Sequence, residues 1–165
     1  MEKVETAHST WTIDHIDRSV KRGSLALQPD FQRFYIWSAK KEKEFIDSIL
    51  RDYPIPPVWL WKREGDDGET IYEVIDGQQR LTCIRQFMEN KFTFEPSKGE
   101  GIDRNLLSSA DKAYFSKPEK QPQAKILDGK SRHRFLDYLI PYISITGDRK
   151  TVIDIFKRLN TSATN

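Results

Sequence analysis

The sequence predicts an α+β fold, a small mixed sheet with flanking helices, on three observations. Short strand-like runs are interleaved with single helices, but without the regular strand-helix alternation of a doubly wound sheet. Residues 58–62 and 70–75 flank the turn-rich Arg63-Glu64-Gly65-Asp66-Asp67-Gly68-Glu69 and read as a hairpin with a long loop. The run Ile71-Tyr72-Glu73-Val74-Ile75 then passes through Asp76-Gly77-Gln78-Gln79-Arg80 into a helical pattern starting at Leu81, which makes the pentapeptide a strand-to-helix turn.

Each element has its own justification. Residues 12–22 form a short helix with Ile13, Ile16 and Val20 inward and Gly23 as its stop, followed by a strand at 25–27. The loop Gln28-Pro29-Asp30-Phe31-Gln32-Arg33 comes next. Ser38 caps a helix to about residue 52, with Phe45, Ile46, Ile49, Leu50 and Tyr53 as its apolar stripe and Lys40 to Lys43 as its wet face; Pro54, Pro56 and Pro57 end it. After the pentapeptide, Leu81, Ile84, Phe87 and Met88 carry a helix to Asn90, and Phe92 and Phe94 alternate in a short strand. Residues 96–124, rich in Ser, Pro, Lys and Gln, read as an irregular insertion with one helical patch near 106–115. Residues 138–146 form a strand in which Pro141 implies an edge position or a bulge. Asp148 caps a last helix with Val152, Ile155, Phe156 and Leu159 toward the core. Because that helix runs into a polar Thr161-Ser162-Ala163-Thr164, residues 1–165 are expected to be one domain from the N-terminal part of a longer protein.

Composition narrows the classes. At 165 residues, 37% hydrophobic and 32% charged, the chain can bury a core and is not a disordered segment. Its single cysteine, Cys83, excludes an intrachain disulfide framework and a cysteine-based zinc site. No apolar stretch approaches ~18 residues and the N-terminus is polar, so a soluble, cytoplasmic protein is expected. Charge is uneven: residues 1–95 carry 14 Lys and Arg against 17 Asp and Glu, and residues 96–165 carry 13 against 8. Between 117 and 134 six basic residues, including Lys130, Arg132 and Arg134, stand against Glu119 and Asp128. Such a stretch is either a solvated loop or a nucleic-acid contact.

The pentapeptide carries the sharpest chemical signal. Strand-to-helix turns of this kind bind phosphates: Gly77 permits close backbone approach, the helix opens with unpaired amides, and Arg80 supplies an exposed guanidinium. No P-loop lysine is present. Gln78 and Gln79 offer hydrogen bonds, and Asp76 can orient a water, a metal or an arginine. Gln32-Arg33 and Arg158 with Asn160 also lie at ends of apolar elements, and a common anion explains the three clusters more economically than three unrelated ion pairs. Other signals fail. Gly129-Lys130-Ser131 imitates the end of a P-loop, but the glycine required five residues earlier is Ala124. His8, His15 and His133 lack metal-ligand spacing, and no nucleophile-elbow serine occurs. Among Phe31, Phe34, Tyr35, Trp37, Trp59 and Trp61, core packing is the ordinary reading, with Phe34 or Tyr35 the candidates to stack a base.

Four ordered segments, DFQRFYIWS at 30–38, SILRDYPIPPVWL at 48–60, YEVIDGQQRLT at 72–82 and IFKRLNTSA at 155–163, resemble the N-terminal domain of GmrSD-type restriction systems. The resemblance implies a ParB/sulfiredoxin-like fold in which Gly77-Gln78-Gln79-Arg80 holds nucleotide phosphates. It further implies a domain of antiviral defence that binds and hydrolyses nucleoside triphosphate with Mg2+, senses modified DNA, and is coupled to a C-terminal HNH-type nuclease domain. On that reading Asp76, Gln79 and Arg80 are catalytic and Asp76 the metal ligand. Gln32, Arg33, Gly77, Gln78, Arg80, Arg158 and Asn160 bind nucleotide, while the basic stretch, which lies outside the four segments, offers Lys130, Arg132 and Arg134 as DNA contacts by its charge. A DNA-binding module without hydrolysis and a nuclease domain are the alternatives, and an oligomer is compatible with either.

Overall fold

The computed structural model describes residues 3–27, 37–89, 108–109 and 129–162. Five strands form one mixed sheet: β1 (Glu5–Thr12), β2 (Leu25–Ala26), β3 (Val58–Glu64), β4 (Thr70–Asp76) and β5 (Leu139–Thr146), in the order β1-β5-β3-β4-β2. β1 with β5 and β3 with β4 are antiparallel; β5 with β3 and β2 with β4 are parallel. Among the described residues, five helices flank the sheet: α1 (Ile13–Arg22), α2 (Ala39–Leu50), α3 (Gln78–Met88), α4 (Gly129–Asp137) and α5 (Arg149–Ser162). The α+β expectation holds.

Local chemistry sets most boundaries. The Thr12 hydroxyl accepts from the His15 amide at 3.0 Å to open α1, and Gly23, at φ 81°, closes it with its N–H on the Val20 carbonyl. Ser38 caps α2 through Lys41 N–H at 3.3 Å. Asp148 caps α5 with both carboxylate oxygens on Thr151, one on its amide at 2.9 Å and one on its hydroxyl at 2.6 Å; these bonds hold the Asp148 carboxyl below the usual range. The β3–β4 hairpin closes through Gly65 N–H to Glu69 O at 2.7 Å.

Two cores lie on opposite faces of the sheet. On one, Ile13 and Ile16 of α1, Ile46 and Ile49 of α2, Leu81 and Phe87 of α3 and Phe135 of α4 pack against Val58, Leu60, Val74 and Ile140. On the other, Val152 of α5 packs with Trp61, Ile75 and Ile145, bordered by Trp59, Ile155 and Phe156. Burial of each such side chain stabilises by about 1.5–3 kcal/mol, which holds helices too short to persist alone in water.

Several expectations are corrected. β1 has no counterpart among the expected strands, because ETAHSTWT lacks apolar alternation and its first six residues stay exposed. α3 begins at Gln78 and ends at Met88, not at 81 and 90, because the first turn needs only Gly77 behind it. Residues 129–137, expected within a basic loop, are helical, with Ser131 and Phe135 buried on one face. Pro141 is not on an edge: β5 runs between β1 and β3, and the β3 ladder starts only at Tyr142, so the missing N–H removes no bond from it. Leu159, expected in the core, is 36% exposed. The Phe92–Phe94 strand and, apart from Ser108 and Ser109, the insertion at 96–124 lie outside the described residues. Among those described, no helix is long and apolar enough to cross a membrane.

Candidate functional site

The β3–β4 ladder sets up the turn. Trp59 faces Asp76 and Leu60 faces Val74, so Ile75 is an extra residue in β4 and the ladder is broken there. A bulge at a strand end bends the chain and re-aims the residues beyond it. Asp76 then sits at the rim with its side chain 48% exposed.

Gly77 reverses the chain into α3 at φ 104°, a conformation that L side chains rarely adopt. A Cβ on it would lie 2.5 Å from Val58 Cγ1 and 3.3 Å from Val58 Cα. Glycine is thus required twice over. α3 also has no side-chain cap, unlike α1, α2 and α5. Its opening amides, together with the positive end of the helix dipole, are aimed past Gly77 at the sheet rim.

The two glutamines have different settings. Gln78 is 5% exposed; its Nε2 donates to Thr82 Oγ1 at 3.3 Å, and its Oε1 is a buried acceptor without a donor. Gln79 Oε1 accepts from Trp37 N–H at 3.3 Å, which fastens the chain just before α2 onto the turn. Trp37 follows the loop carrying Gln32 and Arg33, residues that lie outside the described ones.

Arg80 departs from expectation. Its side chain is only 13% exposed, and the guanidinium donates to the carbonyls of Pro56 and Pro57, the latter at 3.3 Å, with Asp76 Oδ2 at 3.5 Å. Burial draws its pKa below the usual arginine value while Asp76 pulls the other way; an arginine remains charged under such a shift. This side chain is a clamp between the turn and the proline strap at 54–57. The strap partner was missed because a backbone carbonyl has no sequence signature, although two prolines without N–H groups leave only acceptors to offer.

The other candidate residues lie apart. Arg158 pairs with Asp154 at 2.9 Å and Asn160 Nδ2 donates to Phe156 O at 3.2 Å, both on the exposed side of α5. α5 packs through Val152, Ile155 and Phe156 on the face holding Trp61 and Ile75. Lys130, Arg132 and Arg134 are exposed on α4, on the α3 side of the sheet, and Arg134 Nη2 donates to Leu50 O at 2.9 Å at the end of α2. Trp61 is buried with Nε1 on Gly147 O at 3.0 Å, and Trp37 packs edge-on against Phe45, as the core reading expects.

The residues fit a nucleoside triphosphate in one respect: the amides that open α3 have no side-chain cap and are free to take phosphate oxygens. Among the described residues, no group of three or more His, Cys, Asp or Glu could hold a metal ion. A lone half-exposed Asp76 suits Mg2+ held mainly by phosphate oxygens and water.

No curated protein matches the chain. The family model of the GmrSD restriction endonuclease, N-terminal domain, matches residues 14–165, a span that takes in the hairpin, the Gly77 turn and α5. The chain therefore belongs to the GmrSD restriction endonuclease N-terminal domain family, and is part of a restriction protein.

Proposed function

We propose that this chain is the nucleoside-triphosphate-binding regulatory domain of a modification-dependent restriction protein of the cytoplasm. The observation that carries the reading is the uncapped N-terminus of α3 behind an obligatory glycine. The amides of Gln78, Gln79 and Arg80 take phosphate oxygens, and the Arg80 charge lies behind them without leaving the strap. Asp76, at the rim, holds Mg2+ or orients a water, and Gln79 steadies the arriving loop through Trp37. When bound, the triphosphate with Mg2+ supplies the phosphoryl group that is hydrolysed. On this reading Gln32, Arg33, Arg158 and Asn160 are further nucleotide-binding residues. Modified DNA and a C-terminal HNH-type nuclease domain are the partners.

A ligand that binds only the folded state stabilises it by about 2.7 kcal/mol at 100 times its dissociation constant, roughly 5–10 °C in a domain of this size. A panel of the four NTPs with Mg2+ is expected to give such a shift with at least one. No shift with any of them at saturating concentration removes the nucleotide reading.

The exposed Lys130 and Arg132 on α4 favour a DNA contact separate from the turn. Replacing both with alanine is expected to flatten the log-log salt dependence of DNA binding by about 0.9 for each phosphate no longer neutralised, with nucleotide affinity intact. Arg134 is left in place because it serves Leu50 O. An unchanged salt slope makes α4 an ordinary solvated helix.

A further inference from the structure

The two edges of the sheet are built differently. β2 is two residues long, too short to template another strand. β1 is eight residues long and pairs with β5 in unbroken register from Glu5↔Thr146 to Thr12↔Leu139. Between Glu5 and Thr12 there is no proline, lysine or arginine, and no bulge; these are the devices that keep sheet edges apart. Glu5 is the sole acidic residue there, and the side chains from Glu5 to Thr10 are exposed.

Pro141 reveals which backbone groups face outward. Antiparallel pairs alternate between those that exchange two hydrogen bonds and those that exchange none. The ladder continues unbroken through Thr10↔Pro141 although Pro141 has no N–H, so that pair is of the non-bonded kind. His8↔Ile143 and Thr6↔Ile145 share its parity. The N–H and C=O groups of Thr6, His8 and Thr10 therefore point away from β5, an evenly spaced row of donors and acceptors.

We propose that β1 is a dimerisation edge, pairing antiparallel with β1 of a second copy of this chain about a two-fold axis at His8. In that register His8 faces its own equivalent and Thr6 faces Thr10 of the second copy, so every outward group finds a partner. A two-residue shift moves one of the three opposite Val4, before β1, or opposite Thr12, the N-cap of α1, at the ends of the strand. Like charges do not meet, since Glu5 falls opposite Trp11 of the second copy and Ala7 opposite Ser9. A second copy is favoured over a foreign strand because the row is its own complement under two-fold rotation. The result is one continuous sheet across two chains.

Residue-resolved amide exchange tests this directly. Between about 20 µM and about 500 µM protein, the Thr6, His8 and Thr10 amides are expected to slow at least ~10-fold, while those of Ala7 and Ser9, already bonded to β5, keep their rates. Sedimentation over the same range is expected to move from 19.4 kDa toward twice that mass. His8→Pro and Thr6→Pro each delete an outward N–H without touching the β5 ladder. Either variant, once its near-ultraviolet circular dichroism matches the parent, is expected to stay monomeric. A parent monomeric throughout, slowing shared equally by Ala7 and Ser9, or a dimer that survives in a folded proline variant overturns the proposal.

Discussion

Gly77→Ala is expected to lower the unfolding free energy of this domain by about 3 kcal/mol or more, the sum of two independent penalties. A non-glycine residue at φ 104° carries roughly 1–2 kcal/mol of backbone strain. The added methyl then overlaps Val58, whose side chain is buried in the main core and whose Cα, only 3.3 Å from the new carbon, belongs to the sheet. Overpacking of that kind costs typically 1–3 kcal/mol. The two terms can be separated. Truncating the neighbour in Val58→Ala removes the atoms that the methyl strikes, so the double variant Gly77→Ala/Val58→Ala should be less unstable than the sum of the singles. Urea denaturation of all four proteins measures this. A Gly77→Ala protein within about 0.5 kcal/mol of the parent would show that the turn can relax, and with it the case for a rigid phosphate cradle fails.

The same turn shows what a sequence reveals and what it withholds. Its position was legible because β4 and α3 have clear periodicities, and a glycine between them can only be a reversal. The hairpin, α1, α2 and the Asp148 cap were legible for similar reasons, each resting on contacts within a few residues. What failed was non-local. β1 consists of polar residues whose strand character comes from the β5 ladder, which pairs residues more than 120 positions apart, and no local pattern encodes it. Pro141 looked like an edge residue because its sequence neighbours do not show that β3 starts one residue further on. The helix at 129–137 buries only one face of a strongly basic segment, and that composition hides its period. At the site, the need for glycine depends on Val58, and the partners of Arg80 are carbonyls 23 and 24 residues upstream. Side-chain chemistry marks which residues matter there; tertiary contact decides what each one does.

Arg80→Ala is accordingly expected to act on stability first, lowering it by about 2–3 kcal/mol. An exposed arginine reserved for phosphate would cost almost nothing on removal, and the sequence suggested such a residue. The guanidinium is instead largely withdrawn from water and bonded to the Pro56 and Pro57 carbonyls, and hydrogen bonds from a charged donor contribute about 1.5–3 kcal/mol. The removed stem also leaves unfilled space beside the strap. Arg80→Lys keeps the charge but cannot reach two carbonyls with one planar fork, so it should recover only about half of the loss. Asp76→Asn supplies the contrast: its partner is the same arginine, but a half-exposed carboxylate at 3.5 Å contributes within about 1 kcal/mol. The ordering to be measured by denaturation is therefore Arg80→Ala worst, Arg80→Lys intermediate and Asp76→Asn close to the parent. An Arg80→Ala protein as stable as the parent would show the clamp to be idle and return Arg80 to a purely binding role. Nucleotide affinity in the folded fraction then distinguishes the two roles: loss of the clamp weakens binding in proportion to the disorder of the turn, whereas loss of a direct phosphate ligand weakens it about 10–100-fold in a turn whose amide protection is unchanged.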